Sequence, residues 1–254
     1  MGLFDLFRRT RTAGSAPRSD ATSTFETTQD TTPATTQTTT LRSTMSTLTI
    51  IGAGNMTRGI ATRALAAGHT VQILARDAEA AAALAGELSG DVTTGPVDAP
   101  IAGDVVVLAL PYDAALEVAG QLGQALAGKV VVDITNPVDF ATFDSLVVPA
   151  GTSAAQEIAK AAPEAKVVKG FNTTFAGTLV SGEVAGQKLD VLVAGDDDAA
   201  KAEVIALADS AGMRGVDAGP LRRAQQLEAV GFLHMTLQGT LGNTWSTGVK
   251  VLGA

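Results

Sequence analysis

Residues 47 to 77, "TLTIIGAGNMTRGIATRALAAGHTVQILARD", pass from an apolar β-branched segment through a glycine turn into an alanine-rich helical stretch, then into a second β-branched segment. That order opens a doubly wound α/β sheet. Gly52 permits a tight turn and Gly54 lets backbone approach a pyrophosphate. The helix starting near Asn55 presents unpaired N–H groups and a positive dipole end to an anion. Gly52, Ala53, Gly54, Asn55 and Met56 therefore form the expected dinucleotide turn. A lone glycine pattern is weak, but this one follows a strand and opens a helix, which separates it from a merely structural turn.

The usual third glycine is Thr57. Glycine there allows close packing of helix on strand, so Thr57 is expected either to push the helix outward or to turn to solvent, with donation to a phosphate as a third reading. Ala61 and Ala64 share its helical face and leave room for it. At the second strand tip, where an NAD site places an acid near the ribose, the sequence reads Ala75 then Arg76. A guanidinium without a carboxylate favours the 2′-phosphate of NADP. Asp77 is open to two readings, ribose acid or helix N-cap.

The rhythm continues beyond this unit. Strands are expected near 48–52, 70–75, 104–110, 129–134 and 166–171, and helices near 55–67, 77–88, 112–126 and 152–161. Runs such as "DVVVLAL" and "KVVVDI" suit strands covered on both faces. "KLDVLVAG", "DDDAAKAEVIALADSAG", "MRGVDAG" and a long helix from Pro220 to about Gln238 then form a second, smaller unit. The expected class is α/β: a Rossmann-like, doubly wound parallel sheet with a small C-terminal α/β extension. The expected division is an arm at 1–45, a dinucleotide-binding domain at 46–180 and a small lobe at 181–254 for coenzyme or dimer contact.

The arm stands apart in composition. From Thr22 to Thr44, 12 of 23 residues are threonine, with only Phe25 and Leu41 as large apolar side chains. Such a segment buries too little surface to offset its conformational entropy and is expected to be disordered. Ahead of it, "MGLFDLFRRTR" reads as a frayed terminus or a short amphipathic turn. It lacks the apolar core of a secretory signal, so the expected location is cytoplasmic. No apolar run is long enough for a transmembrane segment.

Charge and cysteine close several classes. The first 44 residues carry five basic and four acidic side chains, leaving 13 basic against 22 acidic in the rest, which disfavours nucleic acid as a partner. With no cysteine there is no thiolate nucleophile, disulfide or cysteine metal site, and two distant histidines suggest no metal motif. "AGDDDAAK" is better read as helix capping than as a metal cluster. Ligands bind at the C-terminal strand ends of such sheets, so Leu110, Pro111, Asn136, Asn172 and Thr173 are candidates to line the nicotinamide site. Pro111 and Pro137 equally suit loop shaping. Lys169 is read as a surface strand lysine or a proton donor, and His234 as a packing or subunit-contact residue, with facing the substrate as its alternative.

Taken in order, "GAGNM", "ARD", "LALPYDAA", "VVKGFNTTFAGTL", "AGDDDAAK" and "VDAGPLRRAQQLEAVGFL" resemble the NADP oxidoreductases that use the deazaflavin coenzyme F420. The resemblance covers about residues 46 to 238. "GAGNM" alone equally suits pyrroline-5-carboxylate reductase. The resemblance implies a homodimer that moves a hydride between NADP(H) and coenzyme F420. It places Gly54, Asn55 and Met56 at the pyrophosphate, Arg76 at the 2′-phosphate, Ala176 beside the nicotinamide, and the deazaflavin near Leu233. The family commonly has Ser before the arginine, a basic residue four after it and a histidine in the later loop; here these are Ala75, Ala80 and Asn172. Rival readings are an NADPH-dependent reductase of an imine or ferric chelate, and a non-enzymatic NADPH-binding regulatory protein. An imine reductase needs a proton donor, for which Lys169 and Tyr112 are the evident choices.

Overall fold

The computed structural model describes residues 46–253; the threonine-rich arm and its apolar start lie outside the described residues. Six strands, β1 (Thr47–Ile51), β2 (Thr70–Ala75), β3 (Val92–Pro96), β4 (Val105–Leu108), β5 (Val130–Asp133) and β6 (Lys166–Lys169), form a parallel sheet in the order 3-2-1-4-5-6. Helices α1 (Asn55–Ala66), α2 (Ala78–Glu87), α3 (Tyr112–Leu122) and α4 (Ala154–Ala161) lie in its connections. This is the Rossmann-like order, which reverses direction between β1 and β4.

The valine runs explain the centre of the sheet. All four residues of β4 and all four of β5 are buried. Val105 and Val107 face the core under α1, whereas Val106 and Leu108 face the core under α3 and α4, following the two-residue period of a strand. Each such side chain contributes about 1.5–3 kcal/mol on full burial. β3 was not expected from sequence. "VTTGP" is a half-buried edge strand, too poor in apolar residues to carry a core signal.

After β6 come α5 (Ala176–Ser181), a hairpin of β7 (Glu183–Val184) and β8 (Gln187–Lys188), then β9 (Asp190–Gly195), α6 (Asp198–Ser210), β10 (Arg214–Gly219) and α7 (Ala224–Leu237). β9 pairs antiparallel with β6, and β10 pairs parallel with β9. The C-terminal unit thus extends the same eight-stranded sheet, with its two strands running backward. The aspartate run caps α6 as expected. Asp197 accepts from the Ala200 N–H at 2.8 Å, and Asp198 pairs with Lys201 at 3.1 Å.

Thr57 corrects its expectation. It is fully buried, and its hydroxyl donates to the Gly52 carbonyl at 2.9 Å, so it neither turns to solvent nor reaches toward a phosphate. The hydroxyl is satisfied inside the turn, and Ala61 and Ala64, buried on the same helical face, leave the room expected of them. Close packing is displaced to Gly59, where a Cβ would lie 2.6 Å from Leu179 Cβ. α1 accordingly packs tightly on α5.

Candidate functional site

Gly52 has φ +121°, and a Cβ there would lie 2.2 Å from the Ala109 carbonyl oxygen, so only glycine fits the turn. Above Gly54 the space is open, with no heavy atom within 4 Å of a Cβ built there. α1 then begins with no side-chain cap and no acid in its first turn. By contrast α2, α4 and α6 are capped by Asp77, Ser153 and Asp197. The uncapped N–H groups at an open glycine turn suit a diphosphate.

Two cavities flank this turn. One, of about 270 Å³, is lined by Gly52, Ala53, Ala75, Arg76, Asp77, Ala80 and Leu110, among others. Arg76 is its one basic lining residue. Asp77 is the α2 N-cap, accepting from the Ala80 N–H at 3.0 Å, which supports the capping reading. The second cavity, of about 350 Å³, lies at the strand ends and brings together Gly54, Asn55, Met56, Leu110, Pro111, Asn136 and Asn172. Tyr112, the candidate proton donor, lines it too, and sequence reasoning missed Thr135, Phe140, Thr174, Phe175, Met235 and Trp245 in that lining. Most are apolar, and such side chains read as core until a fold places them.

Ala176 lies apart from both, in a neighbouring cavity of about 400 Å³ with Asn55, Arg58, Phe175 and Trp245. Leu233 is 59% exposed and lines none of the three cavities; Met235 is the α7 residue that reaches the cleft. Thr173 is buried behind the wall. The chain reaches Asn172 through Phe171, fully buried at φ +59°, a conformation a bulky residue keeps only when its surroundings hold it. Thr135 Oγ1 and Asn172 Oδ1, in two residues that line the cleft, are buried without a protein partner.

Lys169 corrects a second expectation. It is no surface lysine but fully buried, with Nζ 2.7 Å from Asp133, 2.8 Å from Glu228 and 2.5 Å from the Thr135 carbonyl. Glu228 also accepts from the Ala154 and Ala155 N–H groups at the start of α4. Burial pushes the Glu228 carboxyl above its ordinary range, against the attraction of Lys169. This cluster ties β5, β6, α4 and α7 together and sits behind the cleft without lining it. Tyr112 is the single titratable side chain in the lining, and burial with nearby carboxylates raises its pKa, so the phenol stays protonated.

His234 is buried, stacked on Phe175 at 4.1 Å, with Nε2 2.8 Å from the Thr247 hydroxyl. Burial lowers its pKa and keeps it neutral. Its packing role agrees with expectation.

A Rossmann-like sheet with an uncapped glycine turn and cavities on either side of it defines a dinucleotide-binding α/β protein. The family model for "NADP oxidoreductase coenzyme F420-dependent" matches residues 47–137. The F420-dependent NADP reductase of Methanothermobacter thermautotrophicus is 31% identical over 202 residues, covering 73% of this chain and 86% of the relative. The chain belongs to this F420-dependent NADP oxidoreductase family. The reductase of that name from Methanocaldococcus jannaschii is 36% identical over 137 residues, which span 52% of this chain and only 61% of that relative. A solved structure from Arthrobacter sp. FB24, named provisionally as an F420-dependent NADP-reductase, has a TM-score of 0.71 at 33% identity, covering 81% of this chain and 99% of that one.

Proposed function

We propose that this protein transfers a hydride between NADP(H) and the deazaflavin coenzyme F420. The observation that carries the reading is the cleft itself: it opens at the glycine turn of a member of this family, and its lining is mostly apolar, with Tyr112 its one titratable side chain. Reduction of an imine would need Tyr112, the protonated phenol of the lining, as proton donor, whereas exchange between two redox cofactors needs only the orientation and exclusion of water that an apolar cleft supplies. The bound cofactors supply the hydride donor and the hydride acceptor.

The chain's own residues have positioning tasks. Gly52, Ala53 and Gly54 let the pyrophosphate approach backbone, and the free N–H groups at Asn55 and Met56 donate to it. Arg76 takes the 2′-phosphate. Thr135 and Asn172 face the nicotinamide amide, and Leu110, Pro111 and Asn136 set the ring against the acceptor. Ala176 lines the neighbouring cavity and not the cleft that holds these residues. α7 supports a homodimer, because Leu233 and Leu237, four residues apart, are both exposed large apolar side chains.

The experiment is to mix purified protein anaerobically with oxidised coenzyme F420 and NADPH deuterated at C4. Loss of the deazaflavin absorbance with deuterium appearing in the reduced deazaflavin is the expected result. No absorbance change at either cofactor sinks the proposal.

A further inference from the structure

Trp245 is the chain's one tryptophan, and it lines both the 350 Å³ cleft and the adjoining 400 Å³ cavity. It stands on the segment after α7, which the family resemblance does not reach. Its ring meets Phe175 edge-on at 5.0 Å yet remains 41% exposed, so an aromatic face is left open beside the cavities. Phe175 is itself backed by the His234 ring. The three rings form a continuous aromatic contact, stacked at His234 and edge-on at Trp245, that begins in the core and ends at the cleft.

The backbone carrying Trp245 is held in an unfavourable shape. Trp245 has a φ of +51°, in the left-handed region that bulky residues seldom occupy, two residues after Asn243 at +54°, a residue type that enters it readily. Such strain persists where surroundings over-determine it, and it concentrates at ligand clamps. Here the surroundings are explicit. Fully buried Gln238 takes the Asn243 N–H on its backbone oxygen at 2.8 Å and the Trp245 N–H on Oε1 at 3.2 Å. Its Nε2 donates to Thr247 at 2.8 Å, and Thr247 also meets His234. Further along, Lys250 Nζ and the Val251 N–H both bond Asp190. The strap is fastened on both sides of the tryptophan.

We propose that Trp245 is the stacking platform for the acceptor: a flat, conjugated, multi-ring heterocycle that lies against the indole in the cleft. The platform rests on the deazaflavin reading only for which heterocycle binds. A conjugated ring on an aromatic face gains both dispersion and the apolar area removed from water.

The test uses the indole as its own reporter. Wild-type emission is titrated with coenzyme F420, riboflavin and NADPH, and affinities are measured independently by equilibrium dialysis for wild type, Trp245→Ala and Trp245→Phe. F420 should quench saturably. Trp245→Ala should weaken F420 binding about tenfold or more, the scale of losing one aromatic stacking partner. Trp245→Phe should restore most of that affinity. NADPH affinity should move less than about twofold in either variant, under half a kcal/mol. Unchanged F420 affinity in Trp245→Ala overturns the platform, and so does an equal loss of NADPH affinity, because the residue then holds the fold and not the acceptor. If the wild type binds no F420, the deazaflavin reading fails, and riboflavin decides the platform: saturable quenching upholds it, no quenching overturns it.

Discussion

Asn172 and Asn136 grip each other across the ends of β6 and β5: Asn172 Nδ2 donates to Asn136 Oδ1 at 3.0 Å, and Asn136 Nδ2 donates to the Asn172 carbonyl at 2.8 Å. Asn172 Nδ2 also reaches the Leu227 carbonyl at 2.8 Å, which brings α7 into the same bracket. Gly231 on α7 leaves the space for it, since a Cβ there would lie 2.4 Å from Asn136 Oδ1. Gly231→Ala gains about 1 kcal/mol of helix propensity but disturbs two buried hydrogen bonds and overpacks the site. A net loss of about 1–3 kcal/mol in urea unfolding is expected, together with weaker cofactor binding. Equal or greater stability than wild type shows that the bracket gives way freely.

Arg76 is the one basic residue lining the smaller cavity. Charge-assisted hydrogen bonds contribute about 1.5–3 kcal/mol, so Arg76→Ala should weaken NADPH binding by about 10- to 100-fold. NADH affinity should stay nearly constant. Calorimetric titration of both nucleotides checks this, and a parallel loss for both rejects the assignment of Arg76 to the 2′-phosphate.

Lys169 neutralises two carboxylates that have no exposure of their own. Lys169→Met leaves both acids buried without a cation and should cost about 3–5 kcal/mol. Adding Glu228→Gln should recover part of that loss, because one stranded charge is removed. Denaturant unfolding of the two variants distinguishes this from a simple packing defect, which the second substitution would not relieve.

Asp190 provides a pH-dependent fastening. Burial alone raises its pKa, but hydrogen bonds from Arg214, Lys250 and the Val251 N–H outweigh that and hold it at about 2, against an ordinary 3.8. A depressed folded-state pKa stabilises fully above the unfolded value, and that stability declines as pH falls from about 4 through 2. Trp245 emission should therefore change over that window in wild type as the strap loosens. Asp190→Asn should flatten the change; an unaltered acid transition in that variant rejects the account.

What was legible beforehand follows from where the signal lies. "DVVVLAL" and "KVVVDI" announced buried strands because every residue in them is apolar, and the glycine turn announced its function because no other residue fits at Gly52. β3 stayed hidden because an edge strand needs little apolar surface. Lys169 misled because the charge that makes a lysine read as exposed is cancelled by Asp133 and Glu228, which lie 36 positions before and 59 after it. Trp245 carries no signal in the sequence because its partners Phe175 and Gln238 meet it only through the fold. Strand direction was likewise silent, since an apolar run reads alike either way.

The reversal of β9 matters for that last point. Its register sets Ala194 against Lys169, so the start of β9, at Asp190, extends past the same edge of the sheet at which β6 ends. A parallel β9 would have carried Asp190 to the far rim. Running backward, the strand gives the returning chain a mooring on the side where nucleotide and acceptor are expected to meet, and a topological oddity at the sheet's margin becomes the reason a terminal segment can help to build the cleft.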